Sequence, residues 1–425
     1  MLNIIMAENR KRLVTNFMSL GFQQGITILF PLLIFPYLLR ILGISGFGVF
    51  TLIQTGIMYF DLLIAFGFGL TATQRIATAK DDVDMQKKII AGVYFIQLLL
   101  FIASLIAILL CCLFIPYLQQ NIVLLLLAAL YLLGNLLFPD WYFRGIQQMK
   151  NCTLVTLISK LISFVLIIVL VRQQNDITNA FFALAAGNVL AGITGFFLLQ
   201  HKVKFGFKLP GKIFLSALFK ESSYVFASII LAPFYSSVNI FILQFFASPL
   251  IVGSYSIAQK IFNAASMLTG VVNNAFFPHL SQQYAASVIA YKKNVQKILM
   301  LIGSTFFMLA VIQFFGAALI IQLLVGKNSN EDISYAITIL RIVSFALLFS
   351  PFVSFFFQQM IIQGQQTASI KNIVTAVIVN LVTAVVLSYW YGGIGMAVNV
   401  CLVTVLICFL NAASVNKKIN LLPVT

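Results

Sequence analysis

Apolar residues in this chain come in long unbroken runs separated by short polar gaps, with neither the two-residue alternation of a strand nor the one-sided stripe of a soluble helix. The first run, from Leu13 to Leu39, holds no charged residue and is long enough to cross about 30 Å of hydrocarbon as a helix. Reading runs against gaps predicts twelve spans, at 13–39, 47–73, 89–115, 121–142, 153–171, 178–200, 222–246, 250–277, 297–325, 334–362, 372–390 and 393–413. In lipid every backbone N–H and C=O has to be paired within the protein, which leaves helices or a closed barrel. Runs without alternation exclude the barrel. The expected fold is all-α and integral to the membrane.

Composition agrees: 61% of residues are hydrophobic and 8% charged, and the mean hydropathy is +1.04. The longest gap, around His201 to Glu221, is basic and contains Pro and Gly, so no soluble domain fits anywhere. A net charge of +16 in a soluble protein would suggest nucleic acid or acidic lipid. Here the Lys and Arg residues flank spans, where they set orientation, and no nucleic-acid partner is expected. Twenty of the 26 lie in alternate gaps counted from the amino terminus. Arg40, Arg172 and Lys327 lie on the other side, while Lys160, Lys260 and Arg341 lie inside spans. This asymmetry places both termini in the cytoplasm, and a missed span would scramble it. The cluster Arg10, Lys11 and Arg12 precedes a run too long for a signal-peptide core, so that run is expected to stay as the first span. Trp141-Tyr142 and Tyr389-Trp390-Tyr391 fall at span ends, as interfacial anchors would.

The chain also echoes itself. Gly48-Val49-Phe50-Thr51-Leu52-Ile53-Gln54 opens the second span and Gly253-Ser254-Tyr255-Ser256-Ile257-Ala258-Gln259 the eighth, matching as G-x-aromatic-[ST]-[LI]-x-Q. A weaker echo pairs Arg144-Gly145-Ile146-Gln147-Gln148 with Gln363-Gly364-Gln365-Gln366. Both link one span to the span six later. The reading is two six-helix lobes, 1–208 and 209–425, related by a pseudo-two-fold along the membrane normal and enclosing a central cavity. Chance similarity between Gly/aromatic segments is the competing explanation.

A charge at the bilayer centre costs at least about 3 kcal/mol on insertion scales, so each intramembrane charge is expected to face a cavity or a partner. Lys260 lies ten residues, roughly 15 Å, inside the eighth span, too deep for easy snorkelling. Ser256, Lys260, Asn263, Gly270 and Asn274 recur at helical spacing as a polar stripe, read as facing the cavity. Helix–helix contact through small and amide residues is the alternative for its neutral members. Arg341 and Lys160 are further cavity candidates, with snorkelling as the alternative for both. Gln23, Thr27, Tyr235 and Asn239 extend the predicted wet surface onto the first and seventh spans. Asp61, mid-way along the second span, reads either as an ion-coupling carboxylate or as half of an ion pair with Lys260 or Lys160. Three cations against one Asp bias the cavity toward phosphate or acidic sugars and against cationic drugs. Pro31, Pro36 and Pro233 are candidate bending points. The 42 phenylalanines read as lipid-facing filler.

Enzyme chemistry finds little support. His201 and His279 lie in gaps, away from any Ser/His/Asp arrangement, and no phosphate-binding glycine loop is present. The five cysteines lack metal-ligand spacing and read as small buried hydrophobes. Neither metal nor cofactor is expected.

Several segments carry a family resemblance. Pro36-Tyr37-Leu38-Leu39-Arg40-Ile41-Leu42-Gly43, Gly46-Phe47-Gly48-Val49-Phe50, Phe66-Gly67-Phe68 and Ala72-Thr73-Gln74-Arg75-Ile76-Ala77 resemble the amino-terminal signature of Wzx-type O-antigen and polysaccharide flippases. These belong to the multidrug/oligosaccharidyl-lipid/polysaccharide exporter superfamily. Pro139-Asp140-Trp141-Tyr142-Phe143-Arg144-Gly145, Gly253-Ser254-Tyr255-Ser256 with Lys260-Ile261, and Phe277-Pro278-His279-Leu280-Ser281 extend the likeness over most of the chain. The resemblance implies a V-shaped, two-lobed bundle in the bacterial inner membrane. It would carry an undecaprenyl-pyrophosphate-linked oligosaccharide, such as an O-antigen repeat destined for lipopolysaccharide, from the cytoplasmic to the periplasmic leaflet by alternating access. Spans one, two, seven and eight would line the cavity, and polysaccharide polymerase machinery would be a further partner. Such proteins often carry an acidic residue where this chain has Ala65; Asp61 lies one turn earlier on the same face. Related lipid II flippases have two additional carboxy-terminal spans and charges in the first span, where this chain has Gln23-Gln24, which weighs against lipid II as substrate. An ion-coupled multidrug exporter of the same superfamily is the nearest alternative, and a membrane glycan polymerase or ligase a more distant one.

Overall fold

The structure is a computed structural model that describes residues 2–114, 122–206, 208–326 and 332–420. Every regular element among them is an α-helix. In chain order these are α1 (Leu2–Ala65), α2 (Phe68–Thr78), α3 (Val83–Phe114), α4 (Ile122–Leu137), α5 (Asp140–Gly145), α6 (Met149–Leu170) and α7 (Ile177–Val203). They continue as α8 (Lys212–Ser236), α9 (Asn239–Gln244), α10 (Pro249–Ala286), α11 (Val288–Val325), α12 (Ser334–Ile362) and α13 (Gln366–Asn420). Nine helical stretches among the described residues have the length and composition to cross a membrane. The chain is therefore an all-α, multi-pass membrane protein.

Two of those stretches each carry a pair of predicted spans folded at one glycine. Gly43 leaves helical geometry at φ 72° within α1, and Gly392 does so at φ 55° within α13. A Cβ disfavours that backbone region, so glycine lets the gaps predicted at 39–47 and 390–393 shrink to corners. Pro31 and Pro36 do not break α1, whose only non-helical residue is Gly43.

Packing divides the chain into two compact units, Met1–Leu42 with Ile53–Ile230 and Gly43–Leu52 with Leu231–Thr425. The expected halves at 1–208 and 209–425 follow the sequence repeat. Packing instead assigns most of α8 to the first unit and the turns just after Gly43 to the second.

Within the first unit, small residues bring helices together backbone to backbone, the usual device where lipid offers no hydrophobic drive. A Cβ added at Gly134 of α4 would stand 2.5 Å from the Asn188 carbonyl carbon of α7. One added at Gly187 of α7 would stand 2.6 Å from the Ser159 carbonyl oxygen of α6. No flexible side chain is available to yield at Gly134, so Gly134→Leu is expected to leave the purified protein aggregated on size exclusion.

The junction of α1 and α2 passes through the left-handed region at Phe66 (φ 41°) and Gly67 (φ 78°). Stacked rings hold Phe66 there, with Phe219 and Phe226 of α8 at 4.8 and 5.0 Å between centroids. Two further contacts fasten α2 to α8: Arg75 pairs with Glu221 at 2.6 Å, and the hydroxyls of Thr71 and Ser222 lie 2.8 Å apart. Between α6 and α7, the backbone N–H groups of Arg172 and Gln173 both donate to Asp176 at 2.8 Å. These bonds favour the ionised form and hold the Asp176 carboxyl below the usual carboxylate range.

In the second unit, amide chains replace apolar contact at several helix crossings. Asn380 donates to Asn239 and accepts from Asn399, each at 2.8 Å, and Thr383 bonds Asn399 as well. Tyr291 of α11 donates to Gln359 of α12 at 2.9 Å. The two aromatic clusters differ in placement. Tyr389, Trp390 and Tyr391 are exposed, as anchors would be, whereas Trp141 and Tyr142 are buried and are not anchors. Their burial follows from α5, a short helix at the end of α4 that turns both rings inward.

Candidate functional site

The sequence echo turns out to be a physical contact. A Cβ added at Gly48 would lie 2.5 Å from the Pro249 carbonyl oxygen and 2.6 Å from the Gly253 backbone nitrogen. A Cβ at Gly253 would in turn collide with the Ile44 carbonyl. The repeated glycines therefore mark where the second half of α1 crosses α10 at backbone contact. The hydroxyl positions of the motif also behave alike. Thr51 donates to the Phe47 carbonyl at 2.9 Å and Ser256 to the Val252 carbonyl at 2.7 Å, each four residues back along its own helix. Both side chains are buried, and back-bonding saves their hydroxyls from facing apolar surroundings unsatisfied.

Lys260 stands two turns beyond Gly253 on α10. Its ammonium lies 5.3 Å from the centroid of the Phe47 ring, a ring wholly buried at the crossing. The lysine itself is half-buried. Cation–π attraction of this kind strengthens as water is excluded, to about 2 kcal/mol or more. The other two intramembrane cations have the same kind of partner. Lys160 of α6 lies 5.3 Å from the Phe30 centroid, and Arg341 of α12 lies 5.9 Å from the Phe314 centroid. Each cation is thus seated on its own phenylalanine. Phenylalanine count alone hides this role, because lipid-facing and cation-bearing rings look identical until helix register is known.

The remaining predicted residues separate into three groups. Asn263 is exposed on α10 and accepts from Gln259 at 3.2 Å. Ser256 is buried with its hydroxyl bonded within its own helix, and Asn239 is buried with its side-chain oxygen accepting from Asn380. Arg341 is exposed. The side chains of Gln23, Thr27, Tyr235 and Asn274 lie outside the described residues.

Asp61 belongs to a separate constellation in the first unit. It lines a cavity of about 260 Å³ together with Ile64, Ala65, Phe68, Gly69, Gln97, Asn135, Phe138, Asp140 and Trp141. Asn135 donates to Asp61 at 2.9 Å, and Arg144 pairs with Asp140 at 2.8 Å. Within the same unit, Asp61 and Lys160 influence one another electrostatically. Ala65 and Asp61 both line this cavity. Sequence reasoning missed Gln97 and Trp141 here, because only the packing of α3 and α5 against α1 and α2 brings them in. Among the described residues, no group of three or more His, Cys, Asp or Glu side chains could hold a metal ion.

This architecture is shared with known transporters. The fold superposes on the lipid II flippase MurJ in an inward closed conformation with a TM-score of 0.71 at 14% identity, covering 96% of this chain and 89% of that one. It superposes on the inward-facing conformation of a multidrug resistance MATE family transporter of the MOP superfamily with a TM-score of 0.69 at 14% identity, over 95% and 98% of the two chains. The likeness is one of fold. Residues 13–284 match the polysaccharide biosynthesis protein family, and the chain belongs to that family. Two relatives share the name "Putative O-antigen transporter". The one from Escherichia coli (strain K12) is 31% identical over 348 residues, 80% of this chain and 81% of the relative. The one from Shigella dysenteriae is 27% identical over 405 residues, 92% and 97% of the two.

Proposed function

We propose that this protein is a flippase for a lipid-linked oligosaccharide. Its cargo is an undecaprenyl-pyrophosphate-linked repeat of O-antigen or a similar surface polysaccharide, moved from the cytoplasmic to the periplasmic leaflet of a bacterial inner membrane. Twelve crossings with both termini cytoplasmic fit the charge asymmetry of the gaps. Family membership, the names of the relatives and the transporter fold support the reading. A glycan head group cannot enter hydrocarbon without leaving hydroxyls unpaired at several kcal/mol each, whereas the polyprenyl tail is at home there. A polar route beside an apolar one answers both needs, and alternating access between two lobes supplies it.

The observation that carries the proposal is the half-buried ammonium of Lys260, held over Phe47 at the crossing of the two repeats. Lys260, with Arg341 or Lys160, attracts the pyrophosphate, while Asn263 and the amide and hydroxyl groups of Gln23, Thr27, Tyr235 and Asn274 bind sugars. Ser256 and Asn239 belong to the same proposed binding surface. The same cations repel the cationic substrates of a multidrug exporter. The reaction is transport, with no covalent chemistry, and the polysaccharide polymerase machinery is the partner that would receive the product. Deleting the gene is expected to trap the lipid-linked repeat in the cytoplasmic leaflet, where mass spectrometry of the extracted lipid identifies its head group. Normal surface glycan with no trapped intermediate would overturn the assignment.

A further inference from the structure

We propose that the connection from α7 to α8 is a docking surface for anionic phospholipid, binding the phosphate headgroups of the membrane leaflet on that side. The surface lies wholly within the first unit, and it stands whatever the cargo of the protein is.

Charge supplies the first reason. Between Asp176 and Glu221 the chain has no carboxylate, whereas Lys202, Lys204, Lys208, Lys212 and Lys220 follow one another closely. Glu221 is already taken by Arg75, and Lys202 reaches Gln148. Lys204, Lys208, Lys212 and Lys220 are exposed and enter no ion pair among the described residues. Like charges gathered in one place repel, so an anion from outside relieves them.

Placement says which anion. α7 and α8 each contain a stretch with the length and composition of a membrane span, so the connection between them meets the level of the lipid headgroups. Exposed apolar side chains stand among the lysines: Leu209, next to Lys208, is 58% exposed and Ile213, next to Lys212, is 89% exposed. A soluble phosphate would answer the charges and leave both apolar side chains in water. A lipid surface answers both, with acyl chains covering Leu209 and Ile213 while the lysine stems reach up to phosphate.

The connection is also held in place. Phe205 is 2% exposed and stacks on Tyr94 of α3 at 5.9 Å and 9°, and its carbonyl accepts from Gln200 at 3.1 Å. Lys204 takes a left-handed φ of 48° where the chain leaves α7. Past the connection, α8 packs on α3, with Leu218 and Phe214 at 3.2 and 3.4 Å from a Cβ added at Gly92. Lys88, exposed one turn before Gly92 on α3, adds a further ammonium toward that end. The lysines are thus presented from a pinned loop rather than a loose tether, which lowers the ordering cost of binding.

Purified full-length protein in neutral detergent would be titrated with phosphatidylglycerol and, separately, with phosphatidylcholine, and the bound lipid counted by native mass spectrometry. Phosphatidylglycerol is expected to bind more tightly. The triple variant Lys204→Gln, Lys208→Gln, Lys212→Gln weakens its binding by about tenfold or more and leaves phosphatidylcholine unchanged. Leu209→Ser with Ile213→Ser weakens both lipids. Lys292→Gln, Lys293→Gln, Lys297→Gln removes the same charge from α11 and leaves phosphatidylglycerol binding intact. Equal affinity for the two lipids, or an equal loss from the two triple variants, overturns the proposal. Displacement of phosphatidylglycerol by equimolar inorganic pyrophosphate overturns it too, and names a soluble anion as the occupant. Neither lipid probe carries a glycan, so failure here leaves the flippase assignment standing, and failure of that assignment leaves this surface standing.

Discussion

Lys260→Ala is expected to abolish surface display of the glycan while the protein accumulates in the membrane at its normal level. The ammonium is half-buried over Phe47, and at an effective dielectric of about 20 a unit charge 4 Å away interacts with it by roughly 4 kcal/mol. Losing even half of that attraction for a pyrophosphate lowers flux by more than tenfold. Folding gains little from this lysine, since an intramembrane cation is a burden to insert. The predicted defect is thus in transport rather than abundance. Lys260→Arg should retain much of the activity, because guanidinium keeps the charge and stacks on an aromatic face. Phe47→Leu should be intermediate, losing the cation–π contribution of about 1–2 kcal/mol but not the charge. Surface glycan would be scored by gel electrophoresis of extracted polysaccharide, with immunoblots of membranes as the control. Full display from the alanine variant at equal abundance would remove Lys260 from the mechanism.

The second large effect is expected at the crossing itself. Gly48→Leu places a side chain where backbone atoms of Pro249 and Gly253 already stand 2.5 and 2.6 Å from its first carbon. The contact is with main chain on the other side, so local rotamer changes cannot relieve it. Overpacking of this kind costs about 1–3 kcal/mol when neighbours can move, and more when they cannot. Thermal unfolding of the purified protein should shift down, and transport should fail with it. Gly270→Ala on the same helix α10 provides the comparison, since nothing lies within 4 Å of its added carbon and it should be silent. Equal behaviour of the two variants would mean that the crossing is loose in the membrane.

These two sites show what a one-dimensional reading can reach. Hydropathy and gap charges were enough for the class of fold, for the gaps at 39–47 and 390–393, and for Lys260 as an anomalous charge. The G-x-aromatic-[ST] echo was visible too, but similarity says nothing of contact, and only packing reveals that its two copies touch. Periodicity placed Ser256 on the same face as Lys260, yet its hydroxyl bonds its own helix, because a stripe assigns a side of a helix and not the depth of each atom. Gln97 and Trp141 were out of reach for a different reason. Their partners come from helices distant in sequence, and a buried atom without a hydrogen bond leaves no trace in composition.

The grip of α2 on α8 has a mechanical corollary. Arg75, Thr71 and the two rings around Phe66 seize α8 along its first four turns, yet the same helix passes out of the first unit after Ile230. Every one of those fastenings lies before Ile230, so substitutions from Leu231 to Val238, where α8 ends and α9 begins, would leave that grip untouched.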